Sequence, residues 1–188
     1  MRRWPILLLA LAISACAEPP NKEMDQAQGA IDAARAAGAE RYAATEYAAA
    51  TTALKNSNDA VAAGDYRLAL NYALESAEHA QNAARETADT KAQVRAEVER
   101  EMAEIAALLA QANTRMPTAR RRLPARTVRQ PQTDIATANA DVQKAGEAIK
   151  ADDYLTARMQ LEGVKARIEN ALATIETALA PPAARRRR

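Results

Sequence analysis

The chain has 188 residues, a formal net charge of +2, one cysteine, one tryptophan, five tyrosines and no phenylalanine. A lone cysteine excludes an internal disulfide framework, and 3 % aromatic content excludes a core built on large rings. Alanine, the best helix former, dominates, so the sequence predicts an all-α fold with thin cores, because methyl groups bury little area at ~25 cal/mol per Å².

Residues 1–15 read MRRWPILLLALAISA, with Arg2 and Arg3 ahead of a short apolar run and small residues directly before Cys16. That is the layout of a secretory leader, and the apolar run falls short of the roughly twenty residues a membrane span needs. Ile13-Ser14-Ala15-Cys16 resembles a bacterial lipobox. The resemblance implies removal of residues 1–15 and covalent diacylglycerol and N-acyl chains on Cys16; the motifs of the chain give no reason to expect another cofactor or a metal. It also implies a lipid-anchored protein of the bacterial cell envelope. Ala17, a residue other than Asp after the cysteine, implies the periplasmic face of the outer membrane. Residues 16–21 would then be a short acylated tether.

The first helix is predicted from Asn21 to Ala37, with Ala27, Ile31 and Ala34 on one face and Gly38 as its stop. Thr45 is a candidate N-cap for a second helix that stops at Gly64. Asp65 caps a third, whose stripe is Tyr66, Ala69, Ala73, Ala77, Ala80 and Ala84. This helix is long: after a polar middle, Arg85 to Gln93, a second stripe follows at Val94, Val98, Met102, Ile105, Leu109 and Ala112. Spacings of three and four residues in it resemble a coiled-coil seam.

Pro117, Pro124 and Pro131 then punctuate an arginine-rich stretch, and each removes an amide donor and restricts its predecessor. A helix ending before Pro117 and a basic linker over residues 113–132 are therefore predicted. Thr133 would cap a fourth helix ending near Ala151, and Asp152 or Asp153 a fifth from Tyr154 to about Leu179. Pro181 and Pro182 close it, ahead of a disordered basic tail over residues 181–188.

Shifting the chain by 88 residues places Thr45 on Thr133, Asp65-Tyr66 on Asp153-Tyr154 and Ala69 on Ala157, with ten of 39 positions from Thr45 to Ala83 identical. The expected architecture is thus a duplicated module of elongated antiparallel hairpins, about five helices with one long. It comprises a first module plus long helix over 22–112, the linker, and a second hairpin over 133–180. Gly64, Asp65, Tyr66, Asp153 and Tyr154 are the structural turn residues. The two turns resemble the inter-helix turn of tetratricopeptide repeats, without the 34-residue period. Residues 33 to 43, Ala-Ala-Arg-Ala-Ala-Gly-Ala-Glu-Arg-Tyr-Ala, with the Gly-Asp-Tyr hairpin that follows, resemble an uncharacterised family of small Ala-rich periplasmic lipoproteins. Some of its members precede an OmpA-like domain, and Thr45 stands where that family has proline. The resemblance implies location and fold, and no activity.

Charge is the remaining functional signal. Once Arg2 and Arg3 leave with the leader the chain is formally neutral. Six arginines and no acid lie between Asn113 and Thr133, and Arg185, Arg186, Arg187 and Arg188 end the chain, leaving a net −10 elsewhere. Arginine binds phosphate and carboxylate through a bidentate fork, so Arg120, Arg121, Arg122, Arg126, Arg129 and Arg185 to Arg188 are the candidate binding residues. Their partners would be anionic lipid, peptidoglycan or an acidic protein surface, and nucleic acid is not expected in this compartment. No catalytic constellation is present in sequence, and His79 with Glu75 supplies two ligands where a structural zinc takes four. The expected function is a non-enzymatic helical scaffold or adaptor that binds an envelope protein or self-associates. The alternative is an envelope-binding module that works through its arginine arms.

Overall fold

A computed structural model describes residues 18–180, and seven helices account for nearly all of them. The all-α class is as predicted. The described chain divides into two units, one ending at Ala88 and the other beginning at Asp89. The division falls inside the polar stretch Arg85 to Gln93, where no apolar stripe is available to extend either core.

In the first unit α1 (Asn21–Ala37) buries Ala27, Ile31 and Ala34, the predicted face. Gly38 ends it at φ +101°, its N–H reaching the carbonyls of Ala34 and Arg35. A short α2 (Ala39–Tyr42) turns the chain into α3 (Ala44–Ala62). Thr45 is not a cap: α3 starts two residues earlier than that cap implies, with Ala43 at the N-cap position and the Tyr47 amide bonded to the Ala43 carbonyl at 3.0 Å. Burial of Ala43 and Tyr47 fixes that start more strongly than a hydroxyl cap would. The core gathers Ala27, Ile31, Ala34, Tyr47, Ala50 and Leu54 with Ala80 and Ala83 of α4 (Tyr66–Arg122). Alanine faces let α3 and α4 approach closely enough for two buried serines to cross between them. Ser57 Oγ donates to the Ala69 carbonyl and Ser76 Oγ to the Ala50 carbonyl, both at 2.8 Å. Each buried hydroxyl is satisfied, which avoids the cost of an orphan polar group.

The second unit holds the larger side chains. Val94, Val98, Ile105, Leu109, Met116 and Ala119 of α4 pack with α5 (Ala125–Lys150), α6 (Tyr154–Leu161) and α7 (Val164–Leu179). At positions 88 residues beyond Ser57 and Ser76 stand Ala145 and Val164, both fully buried. Apolar contact replaces the hydroxyl crossings of the first unit.

Residues 113–132 are not an irregular linker. α4 continues through Pro117 to Arg122, and α5 begins at Ala125 and contains Pro131. The prolines lose their amide bonds, but Met116, Ala119, Val128 and Pro131 itself are buried around them, and that burial outweighs the local penalty. Only Leu123 and Pro124 leave the helix. Pro124, at φ −58° and ψ 143°, occupies the N-cap position of α5. Thr133 is therefore inside α5, its hydroxyl donating back to the Arg129 carbonyl at 3.1 Å rather than capping. The predicted last helix is also divided. Glu162 is extended and Gly163 adopts φ +74°, so α6 and α7 are separate helices, although Leu161 and Val164 on either side are both buried.

The repeated turn is the same in both units down to its hydrogen bonds. Gly64 (φ +76°) and Asp152 (φ +60°) occupy the left-handed position. The amides of Gly64 and Asp65 bond to the carbonyls of Val61 and Ala60, and those of Asp152 and Asp153 to Ile149 and Ala148. Asp65 Oδ1 then accepts from the Leu68 amide at 2.9 Å, and Asp153 Oδ1 from the Thr156 amide at 3.0 Å. This is a helix stop followed directly by an N-cap.

Candidate functional site: the arginine-bearing α4–α5 turn

The last turn of α4 carries Arg120, Arg121 and Arg122, and the first two turns of α5 carry Arg126 and Arg129. All five are exposed. Arginines at the C-terminal end of α4 complement its dipole, whereas Arg126 in the first turn of α5 opposes the dipole there. The two-residue turn Leu123-Pro124 brings both sets together. Helical spacing then fixes which residues face inward: Ala125, Val128, Arg129, Gln132 and Thr133 lie on one side of α5, at steps of three and four. With Arg120 and Leu123 of α4 they line a shallow cleft of about 370 Å³. Its arginines are Arg120 and Arg129. Val128 and the half-buried Leu123 supply apolar wall.

The sixth arginine of the stretch differs. Arg115 is ion-paired to Glu176 of α7. Among the described residues none of Arg120, Arg121, Arg122, Arg126 and Arg129 forms an ion pair. Arg121 Nε reaches only the Pro117 carbonyl, at 3.3 Å, the acceptor that lies one turn back on its own helix. Four acidic residues elsewhere in the unit pair with other cations: Glu104 with Lys165 at 2.6 Å, Asp141 with Arg167 at 2.7 Å, Glu97 with Arg158 at 3.6 Å and Asp152 with Lys91. The hydrogen bond from Lys165 holds the Glu104 carboxyl below its ordinary range, and the bond from Arg167 does the same for Asp141.

Residues 22–99 match the profile of a domain of unknown function, DUF4398. No curated protein and no solved structure matches the chain. The matched stretch covers α1, α2, α3 and the first part of α4, less than half of the sequence. It is consistent with membership of an uncharacterised family, the coarse part of what residues 33 to 43 and the Gly-Asp-Tyr hairpin imply. The arginine-bearing turn lies outside it.

The remaining predicted residues are distributed as follows. Cys16 and Arg185 to Arg188 lie outside the described residues. Among those described, no helix is long and apolar enough to cross a membrane. Tyr154 is buried against its turn, with the Arg95 guanidinium 5.9 Å from its ring centre, and Tyr66 is half-buried. Both positions are packing positions, and the tyrosines do not form a shared exposed surface.

Two interactions were not legible in the sequence. His79 Nδ1 donates to Glu46 Oε2 of α3 at 2.8 Å, while Glu75, the partner visible at helical spacing, is 3.8 Å from Nε2. The bond to Glu46 raises the histidine above its usual range, with Glu75 and Glu78 adding smaller contributions. Arg35, near the end of α1, donates to the Tyr47 hydroxyl at 2.7 Å and lies over its ring, while Asp32 and Glu40 accept from the same guanidinium. Both pairings cross between helices 12 or more residues apart, so only the register of the packed helices could have indicated them.

Proposed function

We propose that the protein is a non-enzymatic helical scaffold, tethered by acyl chains on Cys16 to the periplasmic face of the outer membrane, that presents helix surfaces to an envelope protein. The leader sequence supports the anchor. The observation that carries the scaffold reading is an apolar pair, Leu70 and Leu74, on the side of α4 away from the core stripe in the first unit. Leu74 is 53 % exposed and the half-buried Leu70 stands one turn before it on the same side of the helix, outside the Ala69–Ala73–Ala80 stripe that faces the core; Leu68, 37 % exposed, lies on the other flank of that stripe. Exposed apolar side chains grouped on one element mark interaction surfaces more often than scattered ones do. A photo-crosslinking residue at Leu74, introduced into the anchored protein in cells, should capture one recurrent partner, and the capture should be lost when Leu70 is changed to Arg. Capture of scattered envelope proteins, or of none, overturns the reading.

A second reading has its own observation, the five arginines without acidic partners. In it the basic arms hold the anchored protein to anionic lipid or to peptidoglycan. Salt-sensitive binding of the chain to either, lost on replacing Arg120, Arg121 and Arg122 and Arg185 to Arg188 by Ser, is the expected result.

A further inference from the structure

The arginine-bearing turn has three properties that together select one kind of partner. It is built only from arginine, whose planar fork is weakly hydrated and matches a phosphate's oxygens in pairs. Its cleft is half apolar: Arg120, Arg129 and Gln132 supply donors, and Leu123, Ala125 and Val128 supply hydrocarbon. Thr133 adds little as a donor, because its hydroxyl is already given to the Arg129 carbonyl. At the turn itself the residues between the two basic sets are Leu123, Pro124 and Ala125, of which Pro124 and Ala125 are exposed. A polar wall polymer would use the charges and leave the hydrocarbon unmatched. A phospholipid places an anionic phosphate directly beside apolar chain, and a basic surface with an apolar point suits its interfacial zone.

We propose that the α4–α5 turn docks on an anionic phospholipid surface, with the Arg120–Arg129 cleft taking a lipid phosphate and the Leu123-Pro124-Ala125 turn entering the headgroup layer. The proposal rests on the second reading above and narrows it to one ligand and one place. Arg121, Arg122 and Arg126 surround the cleft and strengthen attraction to the surface without needing a defined geometry.

The test uses residues 16–188 with Cys16→Ser, so that neither the leader nor an acyl chain carries the protein to a membrane. Both cores lie within residues 24–179 and are complete in that chain. It is sedimented with phosphatidylcholine vesicles, with the same vesicles containing phosphatidylglycerol, and with purified peptidoglycan. Binding is expected only where phosphatidylglycerol is present. Arg120→Gln with Arg129→Gln should weaken it roughly thirtyfold, the loss expected for two basic residues at an anionic surface. Arg120→Lys with Arg129→Lys, which keeps the charge and loses the fork, should weaken it less, and it serves as the second variant if the first melts early. The only tryptophan in the sequence is Trp4, so Ala125→Trp places a single fluorophore at the turn. Its emission should shift to the blue on phosphatidylglycerol vesicles. Binding to peptidoglycan and not to vesicles overturns the lipid inference and leaves the second reading standing. Binding to neither overturns both. Vesicle binding that survives both double variants overturns the cleft, and an unshifted tryptophan on bound vesicles overturns entry of the turn.

Discussion

At the residue scale, the side chains that were readable from sequence are those whose partners are three or four residues away. Asp65 and Asp153 follow left-handed residues and cap the next helix, and that geometry needs no knowledge of the rest of the molecule. Asp153 is the better held of the two, since its second oxygen also accepts from the Thr156 hydroxyl at 2.8 Å. Replacing Asp153 by Ala should cost about 1 kcal/mol, the usual worth of an N-cap, and Asp65→Ala somewhat less, as read from urea unfolding. Thr45 and Thr133 carry the same local signal and are not caps, because the helices that contain them start earlier for reasons of packing. His79 is the opposite case, its main partner 33 residues away. The Glu46 bond raises its folded pKa above the unfolded value of about 6.5, with Glu75 and Glu78 on its own helix acting in the same sense. Its contribution to stability is therefore complete below about pH 6.5 and is lost as pH rises through the folded value. The melting temperature of His79→Gln should fall below wild type near pH 6 and approach it as pH rises through the folded value. A difference that grows with pH would show that the imidazole is held neutral.

At the element scale, the long α4 and the hairpin turns were legible, and the region around the three prolines was not. Proline is a strong local signal against helix, but it can be outvoted when the residues around it are buried, as Met116, Ala119 and Val128 are. At Gly163 the reverse holds: the sequence predicts one helix from Tyr154 to about Leu179 running through it, yet the backbone takes the left-handed conformation there and α6 ends. The cost of a helical proline can be measured at Pro117, which is exposed and so leaves no cavity when shortened. Pro117→Ala restores an amide donor to the Asn113 carbonyl. Proline in a helix interior is about 3 kcal/mol worse than alanine, and its stiffening of the unfolded chain returns up to about 1 kcal/mol. The variant should thus be more stable by about 1–2 kcal/mol in urea, the position near the helix end reducing the gain. Pro131→Ala should gain less, because Pro131 is fully buried and its ring fills core volume. If Pro117→Ala is destabilising, the proline is fixing the path of the chain into the Leu123-Pro124 turn, and α4 is not helical through Pro117 on its own account.

At the scale of the whole molecule, the described chain divides into two units with a core each, and the division matches its sequence repeat. Each core needs a leading helix and a hairpin. The first has α1 and the α3–α4 pair, while the second takes its leading helix from the later part of α4 and adds α5, α6 and α7. The turn that links each hairpin is kept in atomic detail, and the core chemistry is not: serine crossings in one unit stand where alanine and valine stand in the other. Neither buried cluster contains a residue from Arg85 to Gln93. The units should therefore lose structure separately. Ile105, fully buried in the second core, loses about 2–5 kcal/mol of packing when cut to Ala. Native-state hydrogen exchange of Ile105→Ala should show that loss at the amides of Ile135, Leu161 and Ile168. Protection at Ile31, Ala50 and Leu54 of the first core should be unchanged. Equal loss in both sets would mean that α4 transmits the whole destabilisation through its polar middle, and that the two cores unfold as one.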